Sequence, residues 1–134
     1  MVKKLNNKGY MLVEIILAFV LAFGVMYYML ELAIKIKNKN DDLLVETLTA
    51  TDQAIISNKL TQMFKENNFD CTKLTVDNGK KIKYNSEVID IVNDYATADI
   101  NSCASSGEEI KVNIGLTVKQ MPDKNFDVNL TYVK

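Results

Sequence analysis

The chain has 134 residues, 16 basic and 17 acidic, for a net charge of −1, which excludes a strongly basic nucleic-acid binder and a polyacidic tail. Every basic residue is Lys, a bias read as AT-rich codon usage, and neither His nor Trp occurs. The commonest general base and the commonest zinc ligand are therefore missing, and no catalytic residue, metal ligand or cofactor is expected.

A hydrophobic fraction of 48% alongside a mean hydropathy of −0.03 implies one very apolar segment joined to a polar remainder. That segment is near the start. From Ile15 to Leu30 no residue is charged, and Met11–Val13 and Leu32–Ile34 extend the stretch to 24 residues interrupted only by Glu14 and Glu31. As a helix it measures about 36 Å, against about 30 Å of bilayer hydrocarbon. A soluble domain of this size cannot bury a helix that is apolar all round, so the sequence predicts membrane insertion. Lys3, Lys4 and Lys8 precede the segment and Lys35, Lys37 and Lys39 follow it, so charge leaves the orientation nearly undecided. A cleaved secretory signal would need a small-residue cleavage site after the apolar run, and the lysines stand there instead.

Glu14 is anomalous inside such a helix, since a carboxylate costs about 2.5–3.5 kcal/mol at mid-bilayer and less towards the interface. It either reaches headgroup water or has a cationic partner. Cleavage between Gly9 and Tyr10 would create an α-amine four residues before Glu14, on the same helix face.

The run Lys8-Gly9-Tyr10-Met11-Leu12-Val13-Glu14, followed by the apolar stretch, resembles the type III signal of type IV pilins and pseudopilins. The resemblance covers residues 1–40. Tyr10 stands where the family more often has Phe, Met11 where Thr is common, and the apolar helix lacks the Pro of many members, leaving Gly24 as its weak point. The resemblance implies cleavage after Gly9 and N-methylation of Tyr10 by a prepilin peptidase, with charge pairing through Glu14 during assembly. It implies other subunits, a platform protein, an assembly ATPase and membrane lipid as partners. It also implies a single pass through the cytoplasmic membrane with the C-terminal domain outside, and a surface filament once assembled. Within that resemblance, the short domain, the AT-rich bias and a single expected disulfide point to a minor pilin or pseudopilin of a low-GC Gram-positive-type bacterium. Nucleic acid is not expected as a ligand, although DNA-uptake systems share the signal. The competing reading is a signal-anchored extracellular binding domain whose N-terminal helix is never cleaved.

Beyond Ile36 the sequence predicts a polar break at KNKNDD and then an amphipathic helix through about Lys65, with Leu44, Leu48, Ile55, Ile56, Leu60, Met63 and Phe64 as its apolar stripe. Asn67-Asn68 is the expected stop. Thereafter the period becomes two. Leu74–Val76 and Ile82–Tyr84 flank Asp77-Asn78-Gly79 as a hairpin, and Glu87–Val92 reads as a further strand. Ile110, Val112, Ile114, Leu116 and Val118, answered after the turn 121–125 by Phe126, Val128, Leu130 and Tyr132, predict an antiparallel hairpin with one buried face.

The expected fold is α+β, a long N-terminal helix with an apolar and an amphipathic half, the latter on a small antiparallel sheet. Its parts are a leader 1–9, an apolar helix 10–36, its amphipathic continuation 37–66 and a β domain 67–134. Cys71 and Cys103 are the only cysteines and fall in the part assigned to the outside, which makes a disulfide the expected state and two buried thiols the alternative. The acidic residues Glu87, Asp90, Asp94 and Asp99 match no compact calcium loop and read as solvated surface.

Overall fold

The computed structural model describes residues 7–66 and 69–133. The expected stop at Asn67-Asn68 and leader residues 1–6 lie outside the described residues. One helix, α1 (Asn7–Lys65), is followed by a 3-10 turn (Cys71–Lys73) and six strands. These are β1 (Leu74–Asp77), β2 (Lys81–Tyr84), β3 (Glu87–Ile91), β4 (Ala96–Ser106), β5 (Glu109–Val118) and β6 (Val128–Val133). The fold is α+β, as the sequence predicts. The chain separates into two compact units, the first ending at Asp41 and the second running from Asp42.

The helix α1 runs unbroken through the polar stretch KNKNDD, so the apolar and amphipathic halves form the one long helix expected. Polarity alone does not end a helix. The stretch contains neither Gly nor Pro, and water satisfies its side chains, so nothing competes with the backbone ladder.

In the second unit the buried helix stripe is Val45, Thr49, Asp52, Ile56, Leu60 and Phe64, at spacings of three and four. Leu44, expected in that stripe, is half exposed. One residue corresponds to about 100° of helix rotation, so Val45 faces inward and Leu44 does not.

The strands form two three-stranded antiparallel sheets, β1-β2-β3 and β4-β5-β6, rather than the single small sheet expected. In the first, two tight turns set the register. Asn78 and Gly79 take φ of 52° and 65°, with Lys80 N–H donating to Asp77 O at 3.0 Å. Asn85 and Ser86 take φ of 52° and 70° between the paired Tyr84 and Glu87. Both pairs place two residues in the left-handed region, which matches the twist of the flanking strands.

In the second sheet, Ile110 pairs with Tyr132, Val112 with Leu130 and Ile114 with Val128, so the expected hairpin is present. Its far strand begins at Val128, and Phe126 is buried in the preceding loop instead of on the strand. No strand was expected over 96–106, where β4 supplies Ala96 and Ala98 to the core.

The core joins the helix stripe to Leu74, Ile82, Ile89, Val92 and the inward face of β5. Phe64, Phe69, Tyr84 and Tyr132 form an aromatic cluster, with Phe64 edge-on to Phe69 at 4.7 Å and Phe69 stacked on Tyr84 at 5.0 Å.

Both outer strands are tied to the helix. Lys59 Nζ donates to Ile89 O at β3, and Gln53 Nε2 donates to Asp127 O, 2.8 Å away, at the entry to β6. The inner strands β1 and β4 lie side by side without a ladder. Links between described residues cross that seam. Ala98 N–H donates to Gly79 O at 2.8 Å, and the Cys71–Cys103 disulfide joins the residues preceding β1 to the middle of β4, with Cα atoms 5.7 Å apart.

Candidate functional site

The first unit is unlike anything in the second. From Tyr10 to Leu30 every residue is exposed, including Tyr10 at 73% and Phe23 at 66%. The most apolar 18-residue window has a mean hydropathy of 2.2 and no buried residue. The helix is therefore long and apolar enough to cross a membrane, and its own chain covers none of that window. Exposed apolar surface on this scale marks an interaction with lipid or with other apolar surfaces.

The polar groups on this helix are few. Tyr10 and Glu14, at i and i+4, lie on one face one turn apart. Among the described residues Glu14 makes no ion pair. Glu31 is different: its carboxylate accepts from Lys35 Nζ at 2.7 Å, again one turn along. Phe19 and Phe23 stack with ring centroids 6.4 Å apart. Gly9 and Gly24 have open space where a side chain would stand. The Gly9-Tyr10 junction lies within the first turns of α1.

The cysteines expected to pair do so, with an S–S distance of 2.04 Å. The four acidic residues are spread over β3, the following loop and β4, and among the described residues no three His, Cys, Asp or Glu side chains converge as a metal site. Asp90 stands apart from the other three. Its Oδ2 is buried without a hydrogen-bond partner. Burial pushes its carboxyl above the usual carboxylate range, reinforced by the charge of Asp52 and opposed by the Ile91 N–H and Lys59. Asp77, on β1, is held below that range by the hydrogen bond from Lys83 at 2.9 Å.

Sequence reasoning missed one polar cluster that positions the second unit on its helix. Asp52 Oδ2 accepts from both the backbone N–H and the side-chain Nδ2 of Asn93, at 2.9 and 2.7 Å. Asn93 Nδ2 also reaches Thr49 Oγ1 at 3.3 Å, and its Oδ1 accepts from Tyr95 N–H at 3.0 Å. The available signal was Thr49 and Asp52 at stripe spacing in the helix. Lys80 Nζ secures the same loop by donating to Asn93 O, 2.8 Å away, and to Ala96 O. One open depression on this unit, about 420 Å³, is lined by Thr72, Lys73, Thr75, Lys83, Asn85 and Ser86.

No family model, curated protein or solved structure matches the chain.

Proposed function

We propose that this protein is a structural subunit of a type IV pilus-like filament, stored in the cytoplasmic membrane through its N-terminal helix and polymerised after cleavage between Gly9 and Tyr10. The observation that carries the reading is an uncovered apolar helix with Glu14 one turn beyond that junction. A helix apolar on all sides needs lipid or other apolar helices around it, since a soluble domain of this size cannot bury it. Leaving lipid for a filament requires that neighbouring helices replace the lipid contacts and that Glu14 find a cation. The α-amine created at Tyr10, on Glu14 of the same or an adjacent subunit, supplies one. In a filament core the attraction between the two charges is stronger than at a hydrated interface, and either charge left unpaired there is costly.

The second unit supports the same division of labour. Its outer strands are tied to the helix through Lys59 and Gln53, and its inner strands face each other. Strand exchange between subunits is thereby disfavoured, and assembly falls to the helix.

The test is made in the native host. N-terminal sequencing should find mature protein beginning at Tyr10 with a methylated amine, and Gly9 replaced by a bulky residue should block that maturation. Glu14→Gln should leave cleavage and membrane abundance intact and deplete the protein from sheared surface filaments. Equal filament incorporation would defeat the pairing argument. Protein beginning at Met1 with no filament fraction would establish the anchored binding domain instead.

A further inference from the structure

The apolar helix is long, but its charge-free part is short. Sixteen residues separate Glu14 from Glu31, from Ile15 to Leu30. At helical rise they cover about 24 Å, some 6 Å less than an average hydrocarbon core of about 30 Å. The two carboxylates cannot both sit at headgroup level in an undeformed bilayer.

Side-chain direction makes the two ends unequal. Helical side chains lean towards the N-terminus, whichever way the helix is inserted. Glu14 therefore leans off the end of the apolar stretch, towards water, while Glu31 leans into it. Lys35 leans the same way, and this brings its Nζ to Glu31 Oε1 at 2.7 Å. The Glu31–Lys35 pair is thus a neutralised polar collar at the deep end, which lets Glu31 be drawn into the bilayer edge at less cost than a lone carboxylate. What remains uncompensated is length.

A helix too short for its bilayer thins the lipid around it, and gathering helices reduces the perimeter of thinned lipid per chain. We propose that a second copy of this chain, parallel and side by side, is the partner of this helix in thick bilayers, so that bilayer thickness sets the monomer–oligomer balance of the membrane-stored pool. A second copy is the partner that fits because its Glu14, Glu31 and Lys35 lie at the same depths, so no carboxylate meets a neighbour's apolar zone. The proposal rests on the helix spanning the membrane, as in the functional reading above, but not on cleavage or filament formation.

The test uses the full chain, dye-labelled at the α-amine, in phosphatidylcholine vesicles whose monounsaturated acyl chains run from 14 to 22 carbons. Energy transfer at fixed protein-to-lipid ratio should report an association constant rising about tenfold from the thinnest to the thickest bilayer. The double variant Glu31→Leu, Lys35→Leu extends the charge-free stretch from Ile15 to Ile36, about 33 Å, and should lose that dependence. Both positions are exposed, so neither change disturbs packing. Association that is independent of thickness, or a double variant that keeps the dependence, would overturn the proposal. Alkaline extraction of the same vesicles separates the two layers of the argument: release of the protein would refute the spanning helix itself and the proposal with it. Retention together with a flat thickness response would refute the proposal alone.

Discussion

The disulfide gives the most quantitative prediction. Cys71 and Cys103 are 32 positions apart, so the bridge closes a ring of 33 residues containing all of the first sheet and β4 as far as Cys103. Chain-entropy arithmetic for a ring of that size gives about 3.7 kcal/mol of stabilisation at 25 °C. For a unit of this size that is a large fraction of the total stability, typically about 5–15 kcal/mol. The structure shows where the loss would act. The two sheets share no ladder, and without the bridge the seam between β1 and β4 keeps the Ala98–Gly79 hydrogen bond and the Lys80 clamp on the adjoining loop. Cys71→Ser and Cys103→Ser should each lower stability by about 3–4 kcal/mol, and the double variant should lose scarcely more, because one bond cannot be broken twice. Pulse proteolysis across a urea series, on the full chain in detergent micelles, reads the second unit while the micelle shields the apolar helix. Additive losses in the double variant, or two reactive thiols in unreduced denatured protein, would refute the reasoning.

Four further outcomes follow from particular contacts. A Cβ on Gly115 would stand 2.7 Å from Asn101 Nδ2, the mobile end of a side chain that donates to Asn113 Oδ1 at 2.8 Å. Gly115→Ala should therefore cost that hydrogen bond, about 0.5–1.5 kcal/mol, and nearly nothing in an Asn101→Ala background, as a urea-melt double-mutant cycle would show. Asp52→Ala strips the acceptor from the Asn93 N–H and amide and should cost about 2–3 kcal/mol in the same assay, with faster hydrogen exchange at Asn93. Asp90, whose carboxyl is raised by burial, binds its proton more tightly folded than unfolded. Its contribution is complete below the unfolded pKa and disappears as pH rises through the folded value, so Asp90→Asn should flatten that part of the stability–pH profile. Asp77, lowered by Lys83, has the opposite sign: its contribution is present above the unfolded pKa and lost as pH falls through the folded value, so Asp77→Asn should blunt acid destabilisation.

What could be read in advance depended on how local the controlling physics was. The apolar helix is legible because sixteen uncharged residues admit few alternatives, and the β5–β6 hairpin because five inward residues on one strand answer three on the other. The strand over 96–106 was not legible. Its buried positions carry Ala96 and Ala98, which give no β-propensity signal, and a bulge between Ile100 and Ser102 breaks the alternation. What makes it a strand is the neighbouring β5, a partner that propensity does not see. The Asp52–Asn93 pair was hidden for the same reason, its members being 41 residues apart. Leu44 against Val45 is a smaller failure: an amphipathic stripe fixes a helix face only to within one residue when apolar residues are adjacent.

The two units meet opposite requirements, and that contrast is the strongest reason to look for function in the first. In the second unit nearly every demanding group is answered: Asp52 by Asn93, the Ile89 and Asp127 carbonyls by Lys59 and Gln53, and the sheet seam by a disulfide. Among its described residues Asp90 Oδ2 is the one buried side-chain atom left without a partner. The first unit answers almost none of its own demands. Its apolar surface is uncovered, and Glu14 carries a charge with no ion-pair partner among the described residues. A surface of that kind is completed from outside the chain, its apolar residues by lipid or other apolar surfaces and Glu14 by water or a cation. Lipid alone meets the first need and leaves the second to interfacial water. The proposed array of like helices with methylated amines at Tyr10 would meet both, and Glu14→Gln distinguishes these environments because it removes the second need while leaving the first untouched.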